Sequence, residues 1–250
     1  MLQGLYAAAN GLVSEEARQA VIANNIANVF TAGFKRQEPV QQGFYSVFRD
    51  SMSVARLNAE RSPGGGVKLV ETYTDPAEGT VTTTGNNLDI ALSGPGYLVV
   101  DTPQGERFTR AGKFMIDSDG QLANDAGHKV QGTGGPIDVR GGAVQFDGTG
   151  RVIVDGAPVG TLRLVEFEDP RMLTREGNTL FAASQAAMDR SAPADQTRVA
   201  AGSLEMSNVQ LPHEMIGMTL GLRAYSANQR VISAFDETLG NLIERVGMPI

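Results

Sequence analysis

From Met218 onward, Met218, Tyr225, Ile232, Leu239 and Val246 recur at an unbroken spacing of seven. Met215, Leu222, Gln229, Asp236 and Ile243 interleave with them, completing an a/d pattern with two polar interruptions. Near the other end of the chain, Leu5, Ala8, Leu12, Ile22, Ile26 and Val29 fall on a similar grid, broken at Glu15 and Gln19. Sustained heptads predict helices that pack lengthwise on other helices. One helix is expected over 3–29, Ala-rich and weakened by Gly4 and Gly11. It closes in a turn at 28–33, because Asn and Gly tolerate the left-handed conformation that ends a helix. A second is expected over 212–246, with Pro212 in its first turn. It also carries Leu220, Ala224, Val231, Phe235 and Leu242 off the main seam, a second apolar stripe that needs a second partner.

Between the helical ends the pattern changes to short β-type runs separated by Gly turns. Candidate strands are Val67–Thr74, Thr80–Thr84, Leu88–Leu92, Tyr97–Asp101, Arg107–Thr109, Lys113–Asp117, Val144–Phe146, Val152–Val154 and Leu162–Phe167. Turn signals such as Gly94-Pro95-Gly96, Asp119-Gly120 and Asp155-Gly156 separate them. The stretch 41–59 can also be read as helical, and Ser62-Pro63-Gly64-Gly65-Gly66 is a flexible break. The expected class is segregated α and β: terminal helices pairing as a coiled coil, plus a central all-β domain. The expected divisions are an assembly helix and turn at 1–33, a partly helical hinge at 34–66 and the β domain at 67–183. An Ala/Ser-rich return linker at 184–211 and a second assembly helix at 212–250 follow. Helices placed at both extremes, one of them with two apolar stripes, are expected to stay incomplete until neighbouring copies cover them. That arrangement suits a polymer subunit better than an enzyme.

Composition narrows the choices. The 250 residues allow one large domain or two modest ones, and 41% hydrophobic content is enough for a core. A net charge of −7 with no Lys/Arg cluster argues against a nucleic-acid partner. With no cysteine there is neither a disulfide nor a thiol nucleophile. No apolar run approaches the roughly 18 residues of a membrane span. The first ten residues lack a basic n-region, so no cleavable secretory signal is expected.

Motifs for chemistry fail one by one. His213-Glu214 begins like the HExxH zinc motif, but Gly217 stands where the second His is needed. Asp117-Ser118-Asp119-Gly120 starts like a calcium loop and lacks the later bidentate Glu, so a hairpin turn is the better reading. The glycines at 64–66 lack the Gly-Lys-Ser/Thr order of a phosphate cradle. The paired carboxylates Glu15-Glu16 and Asp236-Glu237 sit on helix surfaces. No catalytic residue, cofactor, metal or small-molecule substrate is expected. Two rival readings would need other features. A secreted β-domain binding module needs an exposed aromatic cluster, and a hydrolase needs clustered His-Asp or carboxylate pairs.

Two segments carry a family resemblance. Asn24-Asn25-Ile26-Ala27-Asn28, followed by Thr31-Ala32-Gly33-Phe34-Lys35-Arg36, resembles the N-terminal signature of the bacterial flagellar rod and hook proteins. Leu204-Glu205-Met206-Ser207-Asn208-Val209, with Glu214-Met215 and Arg223-Ala224-Tyr225, resembles their C-terminal signature. Gly94–Val100, Arg107–Phe114 and Asp119–Leu122 are similar to the central β domain of that family. Phe30, Ala32 and Leu211-Pro212-His213 depart from its usual pattern, which bears on local turn geometry. The resemblance implies a subunit of the basal-body rod, a periplasmic drive shaft that transmits torque. Its implied partners are copies of itself, other rod and hook proteins, and the flagellar type III export apparatus. Gly134–Val139 and Val159–Val165 lean toward the FlgF-like proximal rod proteins, with FlgG-like distal rod proteins next. The residues expected to serve assembly are Asn24, Asn25, Asn28, Gly33, Phe34, Ser207, Asn208, Val209, Met218, Leu222, Arg223, Tyr225, Ile232 and Leu239.

Overall fold

The computed structural model describes residues 2–43, 67–140, 142–194 and 196–247. Helix α1 spans Leu2–Ala27, a single turn α2 spans Gln185–Met188, and α3 spans Leu211–Gly247. Apart from a 3-10 turn at Pro170–Met172, the other regular structure among the described residues is β. The chain divides into a helical unit (2–27, 37–43, 67–73, 210–247) and a β unit (28–36, 74–209).

In the helical unit α1 and α3 lie side by side and antiparallel. Gly4 faces the Phe235 ring, Gly11 faces the Asn228 amide, Arg18 reaches Gly221, and Ile22 touches Gly217. Each step forward along α1 is matched by an equal step backward along α3. The glycines that weaken these helices as isolated segments are the points of closest approach. A Cβ at Gly4 would come within 2.8 Å of the Phe235 ring, and one at Gly11 within 2.7 Å of the Asn228 amide. Met218 and Ile232 are half-buried on the same face of α3. The interleaved column differs from the sequence expectation. Met215, Leu222 and Ile243 are exposed, and the positions that meet α1 are Gly221, Asn228 and Phe235, each three residues after Met218, Tyr225 and Ile232. Phe235, expected on the second stripe, therefore belongs to the first. Seven-residue spacings alone do not say which of two apolar columns faces inward; the glycines decide it by allowing close approach. Gln37–Gly43 and Val67–Thr74 form a two-stranded sheet in this unit. The helical reading of 41–59 falls partly on the first of these strands, and its remainder lies outside the described residues, as does the 62–66 break.

The β unit is built around Tyr97–Thr102. This strand pairs with Gly105–Thr109, Lys129–Gly132 and Leu164–Phe167, all antiparallel. Side chains alternate across a strand, and here both faces are covered. Leu98 and Val100 enter a core with Ile90, Leu122, Val130, Val139 and Val152. Tyr97 and Val99 enter a second core with Phe108, Phe167 and Phe181. Its rings meet edge-on, Phe108 on Phe167 at 4.8 Å and Tyr97 on Phe181 at 5.8 Å, the arrangement their quadrupoles favour. The Asp155-Gly156 turn places both residues at positive φ (49° and 84°), which lets Arg151–Val154 fold back on Ala157–Thr161.

Residues 184–211, read from composition as a linker, instead carry α2 and three strands. Ser191–Pro193 joins Leu164–Phe167, Arg198–Ala201 pairs with Ile90–Ser93, and Ser203–Glu205 pairs with Val81–Thr83. The Asp117 loop is a hairpin turn in which the carboxylate accepts the Asp119 amide at 2.6 Å.

Candidate assembly junction

Asn28–Arg36, the second half of the N-terminal signature, folds as part of the β unit. Asn28 starts a turn: its carbonyl accepts the Thr31 amide at 3.1 Å and its side-chain oxygen accepts the Thr31 hydroxyl at 3.1 Å. Gly33 follows at φ 71°, and an added Cβ there would overlap the Ala111 backbone. Only glycine meets both conditions at low cost. Its amide donates to the Glu205 carbonyl at 2.8 Å.

The next two residues are deeply buried. Phe34 has no exposed surface, and the Arg175 guanidinium lies over its ring at 4.0 Å. Arg175 also donates to the Lys35 carbonyl at 2.8 Å. Burial lowers the Arg175 guanidinium to about 10. Lys35 and Glu205 form an ion pair with Nζ to Oε1 at 2.6 Å, each side chain 1% exposed. Lys35 also donates to the Ala77 carbonyl at 2.7 Å, and the Gly79 amide donates to Glu205 Oε1 at 2.9 Å. Arg110, stacked on Tyr97 at 4.9 Å, brings a second cation to 3.6 Å from Glu205 Oε2. Desolvation pulls the Lys35 ammonium below its usual range; the Glu205 charge pulls it back up without fully offsetting burial.

Asn208 completes the junction by acting as a surrogate peptide group. Its side-chain oxygen accepts the Arg36 amide at 2.7 Å, and its side-chain nitrogen donates to the Asp75 and Ala77 carbonyls at 3.2 and 3.1 Å. Ser207 accepts the Val209 amide at 3.2 Å, and Val209 is buried. In the helical unit Asn25 does similar work. It accepts the Gln37 amide at 3.0 Å, donates to the Gln37 carbonyl at 2.8 Å, and donates to the buried Glu214 carboxylate at 3.3 Å.

The structure thus brings Asn28, Gly33, Phe34, Ser207, Asn208 and Val209 together in one unit and places Asn25 in the other. Asn24 is exposed. Leu222, Arg223, Tyr225 and Leu239 lie on the exposed surface of α3, whereas Met218 and Ile232 are half-buried. Phe30 projects into solvent, 81% exposed. Sequence reasoning missed Lys35, Glu205, Arg110, Arg175 and Glu214. Lys35 and Glu205 both sit inside the signature segments, which was the available signal; a lone Arg175 between β runs offered none. Among the described residues no group of His, Asp or Glu could hold a metal ion. No helix among them is long and apolar enough to cross a membrane.

Residues 5–35 match the family model for flagella basal body rod proteins. Residues 91–157 match the D1 domain of the flagellar hook protein FlgE/F/G family, and 200–245 the C-terminal region of the flagellar basal body rod FlgEFG proteins. The chain is 33% identical to the basal-body rod protein FlgG of Caulobacter vibrioides, covering 95% of this chain and 97% of the relative. It is 31% identical to FlgG of Bacillus subtilis, over 97% of this chain and 98% of that one. It is 32% identical to the rod protein FlgF of Salmonella typhimurium, over 92% and 93% of the two chains. The junction and these matches coincide at both signatures, and the chain belongs to the flagellar basal-body rod protein family as a structural subunit of the basal body.

Proposed function

We propose that the chain polymerises with itself and with other rod and hook proteins into the periplasmic shaft, its terminal helices forming a coiled-coil layer. The observation that carries this reading is the outward surface of α3. Met215, Ile216, Leu220, Leu222 and Ile243 expose more than half of their area, leaving apolar side chains uncovered on both flanks of a helix already paired along another side. A subunit that transmits torque needs such faces closed by its neighbours, because long apolar seams resist sliding. Met218, Tyr225, Ile232 and Leu239, with Leu222 and Arg223, form the assembly set on this helix. Asn24, Asn25, Asn28, Gly33, Phe34, Ser207, Asn208 and Val209 form the rest of the proposed assembly set. The rod reading carries no catalytic step. Delivery through the type III export apparatus, with the N-terminus retained, follows from the same reading.

Gly134–Val139 and Val159–Val165 favour a place in the proximal rod. The FlgG relatives, at 33% and 31% identity, favour the distal rod. Electron microscopy of basal bodies from a strain lacking this protein separates them: a proximal subunit leaves the shaft cut near its base, and a distal one leaves it cut near the hook. An intact shaft would remove the rod reading.

A further inference from the structure

The β unit is discontinuous in sequence. Val81–Thr83 finds its partner at Ser203–Glu205 and Ile90–Ser93 at Arg198–Ala201. Residues 28–36 lean on the same late segment. The Gly33 amide uses the Glu205 carbonyl, Lys35 uses the Glu205 carboxylate, and the Arg36 amide uses Asn208. Gly79 and Met206 amides also bond across this joint, to Glu205 Oε1 and to the Thr80 carbonyl. If residues 28–36 docked before residue 205 arrived, the Lys35 ammonium would be buried with one carbonyl and no carboxylate bonded to it. Arg110 would stand nearby as a second unneutralised cation. Burying an unpaired charge is strongly unfavourable, and buried amides without acceptors add to the cost. The reverse order leaves Glu205 with Arg110 at 3.6 Å but without its closer Lys35 partner. The N-terminal segment docked alone is therefore worse than the same segment left open.

We propose that Lys35, Glu205 and Asn208 form a completion latch, by which the N-terminal signature docks on the β unit only when the C-terminal signature docks with it. A chain threaded N-terminus first then keeps residues 28–36 and 75–84 undocked until residue 209 has emerged. That consequence for delivery rests on the rod reading above; the latch itself does not. It gives the buried ion pair a role beyond stability, since it removes the stable half-closed states a threaded chain would otherwise visit.

Pulse-labelled hydrogen exchange during refolding of the full-length monomer tests this directly. The Gly33, Arg36, Asp75, Gly79 and Met206 amides are expected to gain protection in one phase, after those of the Tyr97–Thr102 and Gly105–Thr109 hairpin. Protection of Gly33 and Gly79 together with the hairpin, ahead of Met206, would overturn the latch. In native-state exchange, Glu205→Gln is expected to speed exchange of those five amides together by about 100-fold or more. The hairpin is expected to change by less than about threefold. Asn208→Ala is expected to move the same five by about tenfold. Amides that respond singly, or a hairpin that responds equally, would refute it. Should Glu205→Gln not fold, the wild-type refolding order and the Asn208→Ala pattern decide the matter. All these readouts use the monomer, so an intact shaft in a strain lacking the protein would count against the rod reading alone.

Discussion

The two units satisfy their apolar residues in opposite ways. In the β unit Leu98, Val99, Val100, Leu122 and Val130 have no exposed surface, and even Lys35 and Glu205 are sealed inside. On α3, by contrast, Ile216 exposes 62% and Ile243 73% of their surface. The core of the β unit is finished within a single chain, though Phe30 stands out from it, whereas the apolar side chains along α3 are left uncovered. A substitution in the sealed β core is therefore expected to damage folding first, and one on the exposed side of α3 to damage association first.

The largest effect on folding is expected from Lys35→Met, which leaves the Glu205 carboxylate buried beside a weakly placed Arg110. It should cost about 3–5 kcal/mol in urea unfolding of the β unit. Lys35→Met combined with Glu205→Leu should recover most of that loss, and a double variant as weak as the single one would show that shape, not charge, holds the junction. The pair also sets a pH trend. Burial lowers the native Lys35 value below its ordinary 10.5, so between the two values the unfolded chain binds more protons. The contribution of this group to stability therefore rises as pH climbs through that window, and Lys35→Met should abolish the rise.

Gly33→Ala combines positive φ with overlap on the Ala111 backbone and should cost roughly 2–4 kcal/mol, read from the same unfolding curves. Asn25→Ala, in the helical unit, removes three hydrogen bonds and strands the Gln37 backbone; a loss of about 1–3 kcal/mol of helical signal in thermal melts is expected. The smallest effect on the monomer is expected from Leu222→Asp and Leu239→Asp, within about 0.5 kcal/mol because both side chains are exposed. Yet these two should abolish rod assembly and motility. Normal swimming with either would erase the contrast between a finished and an unfinished unit.

The terminal helices and most central strands could be read from the chain because their signals are local. The helix expected at 3–29 is Leu2–Ala27, and the strand expected at Val67–Thr74 has those bounds. Arg198–Ala201 and Ser203–Glu205 could not be read in this way. Their Ala- and Ser-rich sequences become strands through pairing with Ile90–Ser93 and Val81–Thr83, more than a hundred residues earlier. The face of α3 that meets α1 was misassigned in part because Met215 and Leu222 look better suited to a seam than Gly221 and Asn228. Close approach, not hydrophobicity, selects the latter pair. Lys35 and Glu205 lie in segments far apart in the sequence, and only the tertiary structure turns them into a buried pair.

Asn25 and Asn208 are each used at both the oxygen and the nitrogen of the amide. Hydrolysis to aspartate would keep the shape of either side chain and destroy the donor, so chemical ageing at these positions would loosen the turns without altering a single contact surface. That reaction is fastest when glycine follows asparagine, and here Ile26 and Val209 follow instead. Bulky neighbours at both sites are expected to slow that reaction and so preserve both ends of each amide.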